Sequence, residues 1–347
     1  MISDEILKQV PVDPEERKRW SRDNFKRITV SPNFIFHGVS KNETLRRYID
    51  LPKLFDLLKN KRLVFPRLRQ LMEGDPFECF ARKRFDLARP ELEKRAKQYE
   101  HFAPESSRGS VFPQEITNPW ERIGKGESLF DSQVKQMSDG ELQDAVWYLE
   151  KERLKNELVC SCWHKGTVES DAMWKIYASQ LGVSISSSAS RMEAAIKLVT
   201  PKIFAENVKL NLAAVDYGDT NECGGREPWL VKRTAFEHEC EVRLYSDVPF
   251  IFGSQFEAKI DISKLLEEIV ITPFAAPWQS SGIKGAIEAL LKEVGAGQVT
   301  VRQSRHMRIP EHIWPPDANR EILGECVSIW RDGQPLGAYD ISSSDES

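Results

Sequence analysis

The residues best able to do chemistry lie in one run, Phe236-Glu237-His238-Glu239-Cys240-Glu241-Val242-Arg243-Leu244-Tyr245. A period of two predicts a strand there. It sets Phe236, His238, Cys240, Val242 and Leu244 on one face and Glu237, Glu239, Glu241, Arg243 and Tyr245 on the other. Three carboxylates in a row repel one another, and strands are generally poor in Glu. Such a row persists where it is solvated, paired with cations, or lining a site. In an open cleft, an ionised carboxylate stabilises positive charge developing on a reacting centre. Buried in ion pairs, the same acids are a frame.

Other candidates flank this run. Lys232 and Arg233 precede it, and Arg302, Ser304 and Arg305 sit near the last expected strand. These cations suit a pyrophosphate, and they equally suit pairing with Glu239 and Glu241. Cys160-x-Cys162-x-His164 places three soft ligands on one strand face. If that strand pairs with the Glu-rich one, His238 and Cys240 would complete a zinc site. The spacing lacks the two-residue gap of ordinary zinc knuckles, and buried cysteines commonly act as small hydrophobes. Gly74-Asp75-Pro76-Phe77-Glu78 reads as a turn with Phe77 as an apolar plug. Asp75 or Glu78 facing the Glu-rich strand would suit a divalent cation and phosphodiester hydrolysis.

The elements that must position these residues are short and mixed. Strands are expected at 33–38, 63–65, 158–164, 183–186, 213–217, 259–262, 268–272 and 298–302. Helices are expected at 51–60, with Leu51, Leu54, Phe55 and Leu58 on one face, and at 172–179, 189–199 and 281–294. No regular βα beat emerges, so the expected fold is α+β with a mixed, mostly antiparallel sheet. Residues 1–30 read as a charged lead-in and 31–305 as a single domain with a charged helical insertion at about 80–155. Residues 306–347 read as an extension with an acidic tail expected to be disordered.

Composition narrows the classes. Of 347 residues, 40% are hydrophobic and 29% charged, with nine Trp and 17 Phe, enough for a proper core. A net charge of −4 argues against general nucleic-acid binding. No stretch reaches the apolar length of a membrane span, and the first residues lack the pattern of a signal peptide. Six cysteines in so long a chain do not make a disulfide scaffold. Cytoplasmic residence is the expectation.

Three segments in this order resemble the bacterial family catalogued as domain of unknown function twenty-nine seventy-one. They are Gly74–Glu78, Cys160–His164 with Trp174–Ala178, and Glu239-x-Glu241-x-Arg243, with Gly74 standing where Asn is usual. The resemblance covers roughly 33–305 and carries no established activity. The order of an early strand ending in His37, a Trp-x-x-Tyr helix and a late Glu is also similar to diphtheria-toxin-like ADP-ribosyltransferases. That similarity implies NAD as co-substrate. His37 and Arg243 would position the donor, Tyr177 would stack on its ring beside Trp174, and Glu241 would be the catalytic carboxylate. Glu239 would orient a ribose hydroxyl or a macromolecular acceptor. The same residues fit a plainer account, with Tyr177 on a packed helix face, His37 ending a strand, and Glu239, Glu241 and Arg243 in an ion-pair row. The expected function is therefore a nucleotide-handling enzyme. Its alternatives are a non-catalytic ligand-sensing or interaction module of a bacterial stress or phage response, and a metal-dependent phosphodiesterase.

Overall fold

The computed structural model describes residues 11, 13–24, 26–73, 75, 85–100, 134–178, 181–202, 208–218, 226–247, 255–306, 330–331 and 334–335. Gly74, Phe77, Glu78 and the tail at 342–347 lie outside these residues. Helix α1 (Pro14–Asn24) starts at Asp13, whose carboxylate accepts from the backbone N–H groups of Glu15 and Glu16. Strands β1 (Arg27–Val30) and β2 (Asn33–His37) follow, and Gly38 turns the chain at φ +67°. Strand β3 (Thr44–Asp50), absent from the sequence expectation, runs straight into α2 (Leu51–Asn60). There Leu54, Leu57 and Leu58 are buried, and Phe55 lies outside the buried face.

Next come β4 (Arg62–Pro66) and two helices of the expected insertion, α3 (Arg89–Gln98) and α4 (Asp139–Glu157). A capping box starts α4, Ser138 accepting from the Glu141 N–H while the Glu141 side chain reaches back to the Ser138 N–H. Then follow β5 (Leu158–Lys165), β6 (Gly182–Ser188), α5 (Ala189–Ala195) and β7 (Ile196–Pro201). The helix expected to reach residue 199 ends at Ala195, because Ile196, Val199 and Thr200 are β-branched and favour a strand. The rest includes β8 (Lys209–Ala214), β9 (Asp216–Gly218), β10 (Val231–Arg233), β11 (Glu241–Asp247), β12 (Gln255–Ile260), β13 (Glu268–Ile271), α6 (Pro277–Glu293) and β14 (Thr300–Gln303). The fold is α+β, with mixed and antiparallel sheets. No helix among the described residues is long and apolar enough to cross a membrane.

The chain divides into two compact units, the first drawn from 1–45, 61–166 and 188–261 and the second from 46–60, 167–187 and 262–347. In the first, β5, β11 and β8 run antiparallel and β2 pairs parallel with β8. A separate antiparallel sheet has the order β1-β7-β12-β4. Helices α3 and α4 pack with Leu158, Cys160, Ala213 and Tyr245 in one apolar cluster that includes Leu92, Ala96, Leu142, Val146 and Leu154. Each leucine so buried contributes about 2 kcal/mol. In the second unit, β13 pairs antiparallel with β6 and parallel with β14. Its smaller core gathers Tyr48, Met173, Trp174, Ala178 and Val270.

Candidate functional site

The strand expected over 236–245 forms only in its second half. Thr234–Glu239 is a 3-10 turn, closed by the Cys240 N–H donating to the Glu237 carbonyl at 3.1 Å. Cys240 itself takes a left-handed conformation at φ +40°, and β11 begins at Glu241. The physical reason lies in the acids. An extended strand would line up Glu237, Glu239 and Glu241 on one face, whereas the turn sends Glu239 to a cation and leaves Glu237 exposed. Phe236 lies beneath the Lys232 ammonium and the Arg233 guanidinium, 5.0 and 5.1 Å from its ring centre. His238 and Cys240 consequently do not share a face with Val242 and Leu244.

Glu239, Glu241, Arg243 and Lys232 meet in the interior. Arg243 donates from Nε and Nη2 to the two oxygens of Glu241 at 2.8 and 3.0 Å, a bidentate pair. Its Nη1 donates to the Trp229 carbonyl at 2.6 Å, which the Pro228–Leu230 turn presents. Lys232 Nζ bridges both acids, 2.6 Å from Glu239 Oε2 and 3.0 Å from Glu241 Oε2. Arg243 is 1% exposed, and Lys232, the most exposed of the four, only 8%. Burial pushes the Glu241 carboxyl up, but Arg243, Lys232 and the hydrogen bonds of Arg243 and Cys162 outweigh it and hold the group at about 2. Two acids and two bases balance in formal charge within the cluster, and Glu241 is held ionised.

Neighbouring groups complete the frame. The Tyr217 hydroxyl accepts from the Glu241 N–H at 2.7 Å, and burial raises its pKa. His164 Nδ1 donates to the Glu239 carbonyl at 2.6 Å. Asp75, the one described residue of the expected Asp-Pro turn, accepts from Arg233 Nη2 at 3.0 Å and so is tied to the strand carrying Lys232.

Strands β5 and β11 do pair, but not as a zinc site requires. Opposite His164, Cys162 and Cys160 stand Glu241, Arg243 and Tyr245, whereas His238 lies exposed on the 3-10 turn with Nδ1 donating to the Ala235 carbonyl. Among the described residues no three His, Cys, Asp or Glu side chains gather closely enough to hold a metal ion. A hydrogen bond with Cys160, burial and the Glu241 charge push the Cys162 thiol well above its ordinary pKa. It is a poor nucleophile for that reason.

The register also places His37. It stands opposite Ala213, which stands opposite Arg243, which stands opposite Cys162. His37, Arg243 and Glu241 therefore share one sheet face, with His37 and Arg243 two strand spacings, or roughly 10 Å, apart. His37 is exposed and donates from Nε2 to Asn211 Oδ1 at 3.2 Å. Ala213, between them, is buried in the apolar cluster with Trp229 and Tyr245.

Trp174 and Tyr177 belong to the second unit. The expected helix there is a single α-turn, Asp171–Met173, continued by a π-helix, Trp174–Ala178. Trp174 is fully buried, its indole N–H donating to Glu169 Oε2 at 3.1 Å and its ring meeting Tyr48 edge-on. Tyr177 projects outward, 44% exposed. Glu169 also accepts from Ser304 Oγ and, at 3.1 Å, from Arg302 Nη1. Arg302 makes a second bidentate pair with Glu268 at 2.6 and 3.1 Å. Arg302 and Ser304 are thus engaged within their own unit.

The chain matches no family model, no curated protein and no solved structure. Its site must be read from its own residues. Sequence reasoning passed over Tyr217, Asn211 and Glu169. Asn211 acts from β8, which only tertiary pairing brings between β11 and β2, and Tyr217 acts from β9, which pairs with β10. Glu169 had one local signal, an acid five residues before a tryptophan whose N–H needs an acceptor once buried.

Proposed function

We propose that this chain is a non-catalytic ligand-sensing or interaction module, with Lys232, Glu239, Glu241 and Arg243 forming its rigid polar centre. One observation carries the reading. Both candidate catalytic carboxylates are buried and neutralised by two cations. A carboxylate that stabilises a ribosyl cation must present unspent charge to the sugar, and Glu241 spends its charge on Arg243 and Lys232. In this reading the cluster holds the 3-10 turn, β10 and β11 in one arrangement, as buried polar networks with every member satisfied do. A role in a bacterial stress or phage response fits such a module.

A second reading keeps NAD as the co-substrate of a nucleotide-handling enzyme. The common sheet face of His37, Arg243 and Glu241 favours it. One experiment separates the two. Wild type and Glu241→Gln are incubated with NAD, nicotinamide release is followed, and melting is recorded alongside. The module reading expects no release from either protein and a lower melting temperature for the variant. Release by wild type that vanishes in a variant melting like wild type would establish the enzyme instead.

A further inference from the structure

The second unit carries a buried arginine that its neighbours leave short of acceptors. Strand β13 lies between β6 and β14, and the register sets Ser186 against Glu268, and both Ser184 and Arg302 against Val270. Residues two apart on a strand share a face, so Ser184, Ser186, Glu268, Val270 and Arg302 lie on one side of the sheet. Tyr48 packs with Val270, and Arg46, two residues earlier on β3, reaches Glu268. One end of this face is apolar core and the other is charged. None of these residues belongs to the Lys232 cluster.

Arg46 is 7% exposed. Its Nη2 donates to the Thr167 carbonyl at 3.0 Å, but Nε and Nη1 are buried with no hydrogen-bond acceptor among the described residues. A guanidinium cannot shed its proton to escape the cost of burial. Its ion-pair partner is Glu268, whose Oε2 stands 3.9 Å from Nη1, near enough for attraction and too far for a hydrogen bond. Glu268 instead gives both oxygens to Arg302, at 2.6 Å from Nε and 3.1 Å from Nη2. Burial alone dictates the reverse. The Arg302 side chain is 33% exposed and that of Arg46 only 9%, and an ion pair gains most where water screens it least. Arg302 also donates to Glu169 at 3.1 Å, so it holds two carboxylates while Arg46 hydrogen-bonds to neither.

We infer that the Nε–Nη2 edge of Arg302 is a receptor for a carboxylate-bearing small molecule, with Glu268 as its removable occupant. The ligand's carboxylate takes the two donors that Glu268 now fills, and Glu268 crosses about 1 Å to the unmet Nη1 of Arg46. Binding thereby satisfies a buried donor as well as its own contacts, which a plain surface arginine cannot offer. Two observations select a carboxylate. The edge already holds a planar carboxylate in bidentate geometry, so the exchange is like for like. Charge agrees, because Arg46 and Arg302 already balance Glu268 and Glu169 in formal charge. A monoanion adds less repulsion there than a phosphate dianion, which would face Glu169 across the same guanidinium.

The test is titration of the full chain with sodium acetate to about 50 mM at constant ionic strength, since so small a probe binds weakly. Binding is read from the Nε–H resonances of the arginine side chains, those of Arg46 and Arg302 being assigned by their loss in Arg46→Met and Arg302→Lys. In wild type both should shift along one saturable curve, Arg302 because its acceptor changes and Arg46 because Glu268 arrives. Glu268→Gln removes the competing carboxylate and should tighten acetate binding at least about fivefold. Arg302→Lys keeps the charge without the fork and should lose saturable binding. Arg46→Met touches no ligand but leaves Glu268 nowhere to go, and should weaken binding roughly tenfold. The Glu268→Gln arm does not depend on Arg46→Met folding. Inorganic phosphate, titrated alongside, should bind more weakly than acetate. Three results would overturn the inference: no saturable shift at Arg302 in wild type or Glu268→Gln, acetate binding indifferent to Arg46→Met, or phosphate binding the tighter.

Discussion

Arg243 makes a bidentate pair with Glu241, the residue two positions behind it on the same strand. Neighbours at that spacing point to one face, so the pair forms without help from another strand. Lys232 then joins it to Glu239. The arrangement favours a rigid frame over a site with charge to spare.

Removing one cation should cost more than removing a matched pair. Arg243→Met leaves Glu241 buried with half its compensation and should destabilise the protein by about 3 kcal/mol. The double variant Arg243→Met, Glu241→Leu leaves Lys232 facing Glu239 alone, still neutral. It should recover at least half of that loss. Urea unfolding of the two variants measures both values, and a double variant no better than the single would show that Arg243 matters by packing and not by charge.

Acid should unfold the protein partly through Glu241. Its folded pKa of about 2 lies below the ordinary 4.5. A depressed carboxyl contributes stability that is fully present above the unfolded pKa and is lost as pH falls through the folded one. The window is therefore pH 4.5 down to about 2, and the contribution is on the order of 3 kcal/mol. Glu241→Gln should start less stable at pH 6 and show a shallower decline through that window. Parallel declines would locate the acid sensitivity in other carboxylates.

The fold class was legible because most strands are short β-rich runs between breakers, and Leu158–Lys165 and Glu268–Ile271 form close to where their composition places them. Strand β3 escaped notice because Thr44–Asp50 carries Arg46 and Arg47, and its burial comes from a position inside a sheet that no local pattern announces. At the site, the pairing of Lys232 with the two acids was one of two open readings from charge alone. The 3-10 turn was not legible. The period of two held for ten residues, and the repulsion that breaks it acts only once Lys232 offers Glu239 a better place. Likewise, the cross-strand row of His37, Ala213, Arg243 and Cys162 exists in the register and not in any spacing along the chain.

Gly182 is predicted to tolerate no side chain. A Cβ would stand 1.9 Å from the Ala178 carbonyl oxygen and 2.4 Å from its Cα, and these are backbone atoms that cannot swing aside. Gly182→Ala should therefore push the end of the π-helix off β6 at a cost of about 3 kcal/mol. Loss of near-ultraviolet signal from buried Trp174, with the first unit's amide protection unchanged, is the expected signature. A variant as stable as wild type would mean that the two elements pack less closely than described.

Trp174 ties the second unit together through one proton. Its indole N–H donates to Glu169, a carboxylate that also accepts from Ser304 and Arg302. Trp174→Phe keeps an aromatic ring against Tyr48 while deleting that donor. A hydrogen bond to a charged group contributes about 2 kcal/mol, and some of this returns because Arg302 and Ser304 still hold Glu169. The expected loss is therefore about 1 kcal/mol, with Trp174→Leu costing more by removing the ring contact as well. Adding Glu169→Gln to Trp174→Phe separates the terms. If the indole acts through the carboxylate, the two changes together should cost less than their sum in thermal unfolding. Strict additivity would show that Trp174 contributes by its volume alone.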